Sequence, residues 1–144
     1  MQKQTGFTLI EILVTVIVLS IGLLGLAGLQ AVALKFNSTA YQRSQATVLI
    51  YDMIERVRSN SGTDRVDYLS CILGGACIDP TVQTDIQQWN NMIGQNLPSG
   101  NGLITRCSPN SVPPCPANTY VFSVTWDDSR GQDALRNVEI RTNL

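Results

Sequence analysis

At 144 residues with a formal net charge of −1, the chain has room for one small domain plus an appendage, and it lacks the basic excess that a general nucleic-acid binder carries. It contains no histidine, which excludes Ser-His-Asp and Cys-His catalysis. Neither a phosphate-binding loop nor a dinucleotide fingerprint is present, so the reading is a non-enzymatic protein that needs no cofactor and has no nucleic-acid partner.

The first element is an apolar helix with one acid near its start. A short leader with a single basic residue, Lys3, ends at Gly6, and residues 12–34 carry no charged side chain. In a secretory signal the small residue of the cleavage site follows the apolar stretch; here Gly6 precedes it, so cleavage after Gly6 leaves the apolar segment on the mature protein. Residues 7–34 as a helix measure roughly 40 Å, against a hydrocarbon core of about 30 Å. A carboxylate in that setting is costly, about 2.5–3.5 kcal/mol at a central position, and seeks a partner. Glu11 stands four residues after Phe7, one helical turn from the amine that cleavage after Gly6 would create. Gly22, Gly25 and Gly28 each cost about 0.8–1 kcal/mol relative to alanine in a helix, and their spacing is not the G-x-x-x-G pairing pattern. They favour a segment that packs closely or partly unwinds.

Beyond the span the helix continues. Ala46, Leu49, Ile50, Met53 and Val57 recur on one face, Asp52 and Arg56 are four apart and able to pair, and Asn60-Ser61-Gly62 supplies a stop. The expected helix covers residues 7–59, near 80 Å. Its apolar stripe is the seat of the remaining domain, and Arg56 and Arg58 read as a solvated helix end.

Gly6-Phe7-Thr8-Leu9-Ile10-Glu11 resembles the processing signal of type IV prepilins and type II secretion pseudopilins. Leu19-Ser20-Ile21-Gly22-Leu23-Leu24-Gly25-Leu26-Ala27-Gly28-Leu29-Gln30 and Tyr41-Gln42-Arg43-Ser44-Gln45-Ala46 are similar to the PilV-like minor pilins, the type IV pilus modification branch. The resemblance covers about the first 60 residues. It implies cleavage by a prepilin peptidase between Gly6 and Phe7, N-methylation of Phe7, and a role for Glu11 in assembly. It also implies an α+β fold, with a long N-terminal helix packed against a small C-terminal antiparallel sheet. The domain plan is then a leader at 1–6, a transmembrane and filament-core helix at 7–34, and a periplasmic globular domain at 35–144.

Within that domain a second helix is expected from Asp79-Pro80, an N-cap acid before a proline suited to the first turn. Val82, Ile86, Trp89 and Ile93 mark one face, Trp89 reads as core, and Pro98-Ser99-Gly100 ends the segment. The pattern then changes period. Tyr120, Phe122, Val124 and Trp126 alternate with Val121, Ser123 and Thr125, and Val138, Ile140, Thr142 and Leu144 alternate with Asn137, Glu139 and Arg141. Residues 102–106 supply a third strand.

The cysteines, Cys71, Cys77, Cys107 and Cys115, all follow the anchor, and a cytoplasmic leader places them on the oxidising side of a bacterial envelope. Of the three possible pairings, Cys71 with Cys77 and Cys107 with Cys115 are favoured because each closes a loop without regular periodicity. Loop entropy does not choose, since crossed pairings close longer loops. A zinc site is the rival, but there is no C-x-x-C spacing and no histidine. Asp127, Asp128, Ser129 and Asp133 could hold calcium or simply form a turn between strands. Asp64 and Asp67 read as loop solubility.

The expected function is that of a minor pilin of a type IV pilus, a subunit of the inner membrane that is incorporated into the filament and helps initiate or cap assembly, so supporting adhesion or twitching motility. Its partners would be other minor pilins, the major pilin, the prepilin peptidase, the inner-membrane assembly platform and the inner membrane itself. The rivals are a minor pseudopilin of a type II secretion system and a stand-alone anchored periplasmic binding module using the loop between Cys107 and Cys115.

Overall fold

The structure, a computed structural model, describes residues 6–60, 65–107, 114–116, 118–128 and 134–144. The readings placed on Lys3, Ser61, Gly62, Asp64, Ser129 and Asp133 lie outside the described residues. The elements are α1 (Leu9–Ser59), α2 (Arg65–Ile72), α3 (Pro80–Asn96), β1 (Asn101–Arg106), β2 (Thr119–Trp126) and β3 (Arg136–Asn143). By internal contacts the chain divides into Met1–Thr39 and Ala40–Leu144.

In the first unit, α1 starts two residues later than Phe7. The Thr8 carbonyl accepts the N–H groups of Glu11 (3.1 Å) and Ile12 (3.3 Å), which makes Thr8 the N-cap. Thr8 and Glu11 thus hold the first and fourth positions of a capping box, and the acid sits in the first turn, where the helix dipole favours negative charge. The apolar side chains that follow project outward; Leu9 is 88% and Leu24 74% exposed. Among the described residues, α1 is the helix long and apolar enough to cross a membrane, and nothing in its most apolar window is buried.

The second unit has the α+β, type IV pilin-like architecture: the rest of α1 packs against a small antiparallel sheet of order β1-β2-β3. Ala46, Leu49, Ile50, Met53, Ile54 and Val57 form the buried face of the helix, so the expected stripe is joined by Ile54. Val82, Ile86, Trp89 and Ile93 of α3 meet it, and Ile104, Phe122, Val124 and Trp126 complete the core from the sheet. Residues opposite one another set the layers: Ile104 with Phe122, and Phe122 with Ile140. Trp89 is fully buried and its indole N–H donates to the Leu49 carbonyl at 2.8 Å, which satisfies the one polar group of a core aromatic. A Cβ at Gly102 would run into the Trp89 ring and the Ile93 side chain, so β1 approaches α3 closely only because that residue is glycine.

Two expectations are corrected. Strand β2 does not simply alternate: Val121, on the face away from the core, is only 9% exposed, because a central strand is flanked on both sides, here by Thr105 and Arg141. Asp67 is not in a loop, since α2 occupies Arg65–Ile72 and carries both Asp67 and Cys71, while the segment closed by the Cys71–Cys77 bridge leaves helix after Ile72. That helix ends in a Schellman motif. Gly74 adopts φ +83°, its N–H reaches the Cys71 carbonyl at 3.2 Å, and the Gly75 N–H reaches Ser70 at 2.7 Å. At Asp79 the expected N-cap is present, its carboxylate accepting the Thr81 N–H at 2.7 Å ahead of Pro80.

Candidate functional site

The residues singled out near the amino terminus lie together. Gly6, Phe7 and Thr8 precede the helix, and all three are exposed, so the Gly6–Phe7 peptide bond stands outside regular structure. A Cβ built at Gly6 meets nothing within 4 Å. Among the described residues nothing demands a glycine there, so a steric demand at this position would come from a protein that approaches the bond. Phe7, Glu11, Ile12 and Thr15 line one groove of about 280 Å³, which brings the aromatic residue and the acid to the same patch of the helix. Gly22, Gly25 and Gly28 are equally open, with nothing within 4 Å of an added Cβ. Among the described residues, no contact asks for any of these small residues.

The cysteines pair as Cys71–Cys77 and Cys107–Cys115, with Cα separations of 4.7 Å and 6.1 Å. The first bridge closes the chain immediately after the Schellman cap of α2. The second joins the end of β1 to the segment that leads into β2. An open depression of about 530 Å³ beside it is lined by Pro114, Cys115, Pro116, Thr119, Arg141, Thr142 and Asn143.

Of a polar cluster in the Ala40–Leu144 unit, the sequence reading expected the Asp52–Arg56 pair and missed the rest. Arg56, expected to be solvated, donates from Nε to Asp52 Oδ2 at 2.8 Å and from Nη1 to Asp85 Oδ1 at 3.1 Å and Gln88 Oε1 at 2.8 Å. Desolvation lowers its pKa, but the hydrogen bonds and charges of Asp52 and Asp85 together outweigh this and hold it above the ordinary value. The other Asp85 oxygen accepts from the Tyr68 hydroxyl at 2.8 Å, and Asn60 donates to that same hydroxyl at 3.1 Å. Burial first, and then the neighbouring Asp85 and Asp79 charges, push the Tyr68 phenol up to about 12 against the relief given by Asn60. The cluster ties α1, α2 and α3 together. Arg58 is also engaged, with Glu55 at 2.6 Å and Thr142 of β3 at 3.1 Å. Within the segment 41–46, Gln42 accepts the Trp126 indole N–H at 3.1 Å and Ala46 is fully buried, so part of that motif serves the fold.

On the turn after β2, the Asp127 N–H bonds to the Pro98 carbonyl at 3.0 Å, and Asp128 is held by Arg136 at 3.0 Å. Among the described residues no three His, Cys, Asp or Glu side chains gather as a metal ion would need.

A family model described as the prokaryotic N-terminal methylation motif matches residues 1–27 of the 144. No curated protein and no solved structure matches the chain. The motif, with the apolar helix that carries it, supports a protein of the type IV pilin family, anchored in a membrane, acted on by a prepilin peptidase and handled by a pilus assembly machinery as a structural subunit.

Proposed function

We propose that the chain is a minor pilin of a type IV pilus, which is cut between Gly6 and Phe7, N-methylated on Phe7, and drawn from the inner membrane into the filament, where it helps initiate or cap assembly. The observation that carries this reading is the N-terminal methylation motif at residues 1–27, whose apolar stretch from Leu9 onward is helical and, among the described residues, exposed. In a filament those side chains pack against the equivalent helices of neighbouring subunits. Glu11 then needs a cation in an apolar surrounding, and the Phe7 amine of its own or a neighbouring chain supplies it. The globular domain faces the periplasm, where its disulfides form, and the finished subunit supports adhesion or twitching motility.

The test is to shear filaments from cells and identify this chain in them by mass spectrometry, with the amino terminus read from the intact mass. The expected result is a methylated chain beginning at Phe7, present at low stoichiometry. Absence from pili, with presence instead in complexes of a type II secretion system, would overturn the pilus assignment. Retention of residues 1–6 in assembled filaments would overturn the processing step.

A further inference from the structure

We propose that the loop closed by Cys71 and Cys77 is an apolar knob that seats in the depression beside Cys107–Cys115 of a second copy of this chain, the two copies standing side by side and parallel. From Tyr68 to Ile78 the sequence carries no charged residue. Leu73, within the loop, and Ile78, just after it, are 65% and 79% exposed, the two barest large apolar side chains described in the Ala40–Leu144 unit. One exposed leucine is ordinary, but two such residues on one charge-free turn form a patch suited to a protein partner. The bridge draws the ends of the loop to a Cα separation of 4.7 Å, and the N–H groups of Gly74 and Gly75 bond back to α2. The knob is therefore shaped before it meets anything, which lowers the entropic cost of binding.

The depression of about 530 Å³ has matching chemistry. Pro114, Cys115 and Pro116 line it with apolar surface, and Arg141 brings a cation. Arg141 directs Nε to Glu139 at 2.8 Å and Nη1 to Cys115 Sγ at 3.8 Å, which uses only part of the N–H set of a guanidinium. The rest can meet carbonyls. The knob supplies them: it ends α2, whose last turn holds no basic residue, so a cation beside that carbonyl pole is favoured. Position keeps the two features apart within one chain. α2 packs on α3 and on β1, at one edge of the sheet, while the depression lies over β2 and β3 toward the other. Both are level with the end of α1, since Asn60 donates to Tyr68 of α2 and Arg58 donates to Thr142 of β3. Copies held parallel by anchors in one membrane thus bring the knob of one to the depression of the next at the same height. The two surfaces are unlike, so each pair leaves one knob and one depression free, and the contact can extend to a further copy. A small contact suffices, because a shared membrane raises the effective concentration of the copies.

The contact does not rest on the filament reading, and it is tested apart from it, on the full-length chain in membranes of cells that lack the assembly machinery. Two differently tagged copies are co-expressed, the first with photoreactive benzoylphenylalanine in place of Leu73. Illumination should join it to the second copy, at 114–116 or 141–143 by peptide mapping. Ile78→Asp in the first copy should cut that product about ten-fold, because the contact would bury a carboxylate without a partner. The same change in the second copy should leave the product unaltered. Pro114→Trp, which fills the depression, should do the reverse, acting in the second copy and not in the first. Misfolding cannot produce this pattern, since each substitution is tolerated in one of the two copies. An absent product, a product with lipid or with another protein in its place, attachment to the second copy's own Cys71–Cys77 loop, or equal loss whichever copy carries the change would each overturn the proposal.

Discussion

The Met1–Thr39 and Ala40–Leu144 units solve opposite problems with similar side chains. In the second, every large apolar residue of the α1 stripe finds a partner within the chain: Met53 and Ile50 are fully buried, and Ile54 is 1% exposed. In the first, leucines and valines of the same helix lie bare, and three glycines have nothing near them. Burial of a leucine or isoleucine is worth about 1.5–3 kcal/mol relative to exposure. A run of exposed ones is therefore stable only in lipid or against other proteins. The same helix thus holds a domain together with one half and offers the other half to a partner.

The comparison predicts a clean separation of phenotypes, largest at the amino terminus. Replacing Gly6 with leucine should leave the whole population as an uncut, membrane-held precursor, because a bulky side chain there would meet the peptidase. Glu11→Ala should go further in diagnosis: normal cleavage and membrane level, a folded Ala40–Leu144 unit, and loss from sheared filaments. Quantitative blotting of membranes and filaments checks both. Equal incorporation of Glu11→Ala and the unaltered chain would mean that the acid serves only as the first-turn partner of the helix dipole, in the position it holds three residues after Thr8.

Substitutions in the second unit should do the reverse, lowering stability without touching processing. Trp89→Ala removes a fully buried indole and the hydrogen bond to Leu49, and should destabilise the domain by about 3–5 kcal/mol. Denaturant unfolding of the detergent-solubilised chain measures it. A loss under 1 kcal/mol would mean that α3 is not seated on α1 as described.

What was legible follows from distance along the chain. The faces of α1 and α3 could be read because each repeats within a few residues, and the cap at Asp79 because its motif is local. Of the Arg56 cluster only the pair with Asp52, one helical turn away, could be read; the bonds of Asp85 to Arg56 and Tyr68 span 29 and 17 residues, and any one of those residues alone resembles surface polarity. Helix α2 was missed for a related reason: eight residues give scarcely two turns of periodicity, and its stop signal, Gly74-Gly75, reads equally well as part of a loop. At the amino terminus, Thr8 with Glu11 spelled a capping pattern in plain view, overshadowed by the question of what an acid does in an apolar span.

The Arg56 cluster gives the next effect in size, through pH. Tyr68 is 1% exposed and its phenol titrates near 12 in the folded chain, above the usual value of about 10 for an unfolded tyrosine. A folded-state pKa raised in this way leaves its contribution whole below pH 10 and removes it as pH climbs from 10 to 12, because the unfolded chain releases the proton first. The loss should reach roughly 2–3 kcal/mol across that window. Unfolding free energies at pH 9 and pH 11.5 should therefore differ more for the unaltered chain than for Tyr68→Phe, which cannot ionise. Parallel pH dependence in the two proteins would show that the hydroxyl is open to solvent.

The smallest effect separates what α3 owes to packing from what it owes to its own cap. Asp79 accepts the Thr81 N–H at 2.7 Å, and the first turn of α3 contains no other acid to offset the exposed N–H groups. Asp79→Ala should lower stability by about 1 kcal/mol, within the range seen for lost N-caps. Asp79→Asn should recover most of that, since the amide oxygen still accepts the bond while the charge is gone. The Trp89 and Ile93 contacts, further along the same helix, are untouched by either change. If alanine costs as much as Trp89→Ala, the turn at Asp79 and Pro80 must hold the Cys71–Cys77 loop as well as the helix, and reduction of that disulfide in the alanine variant should then add little further loss.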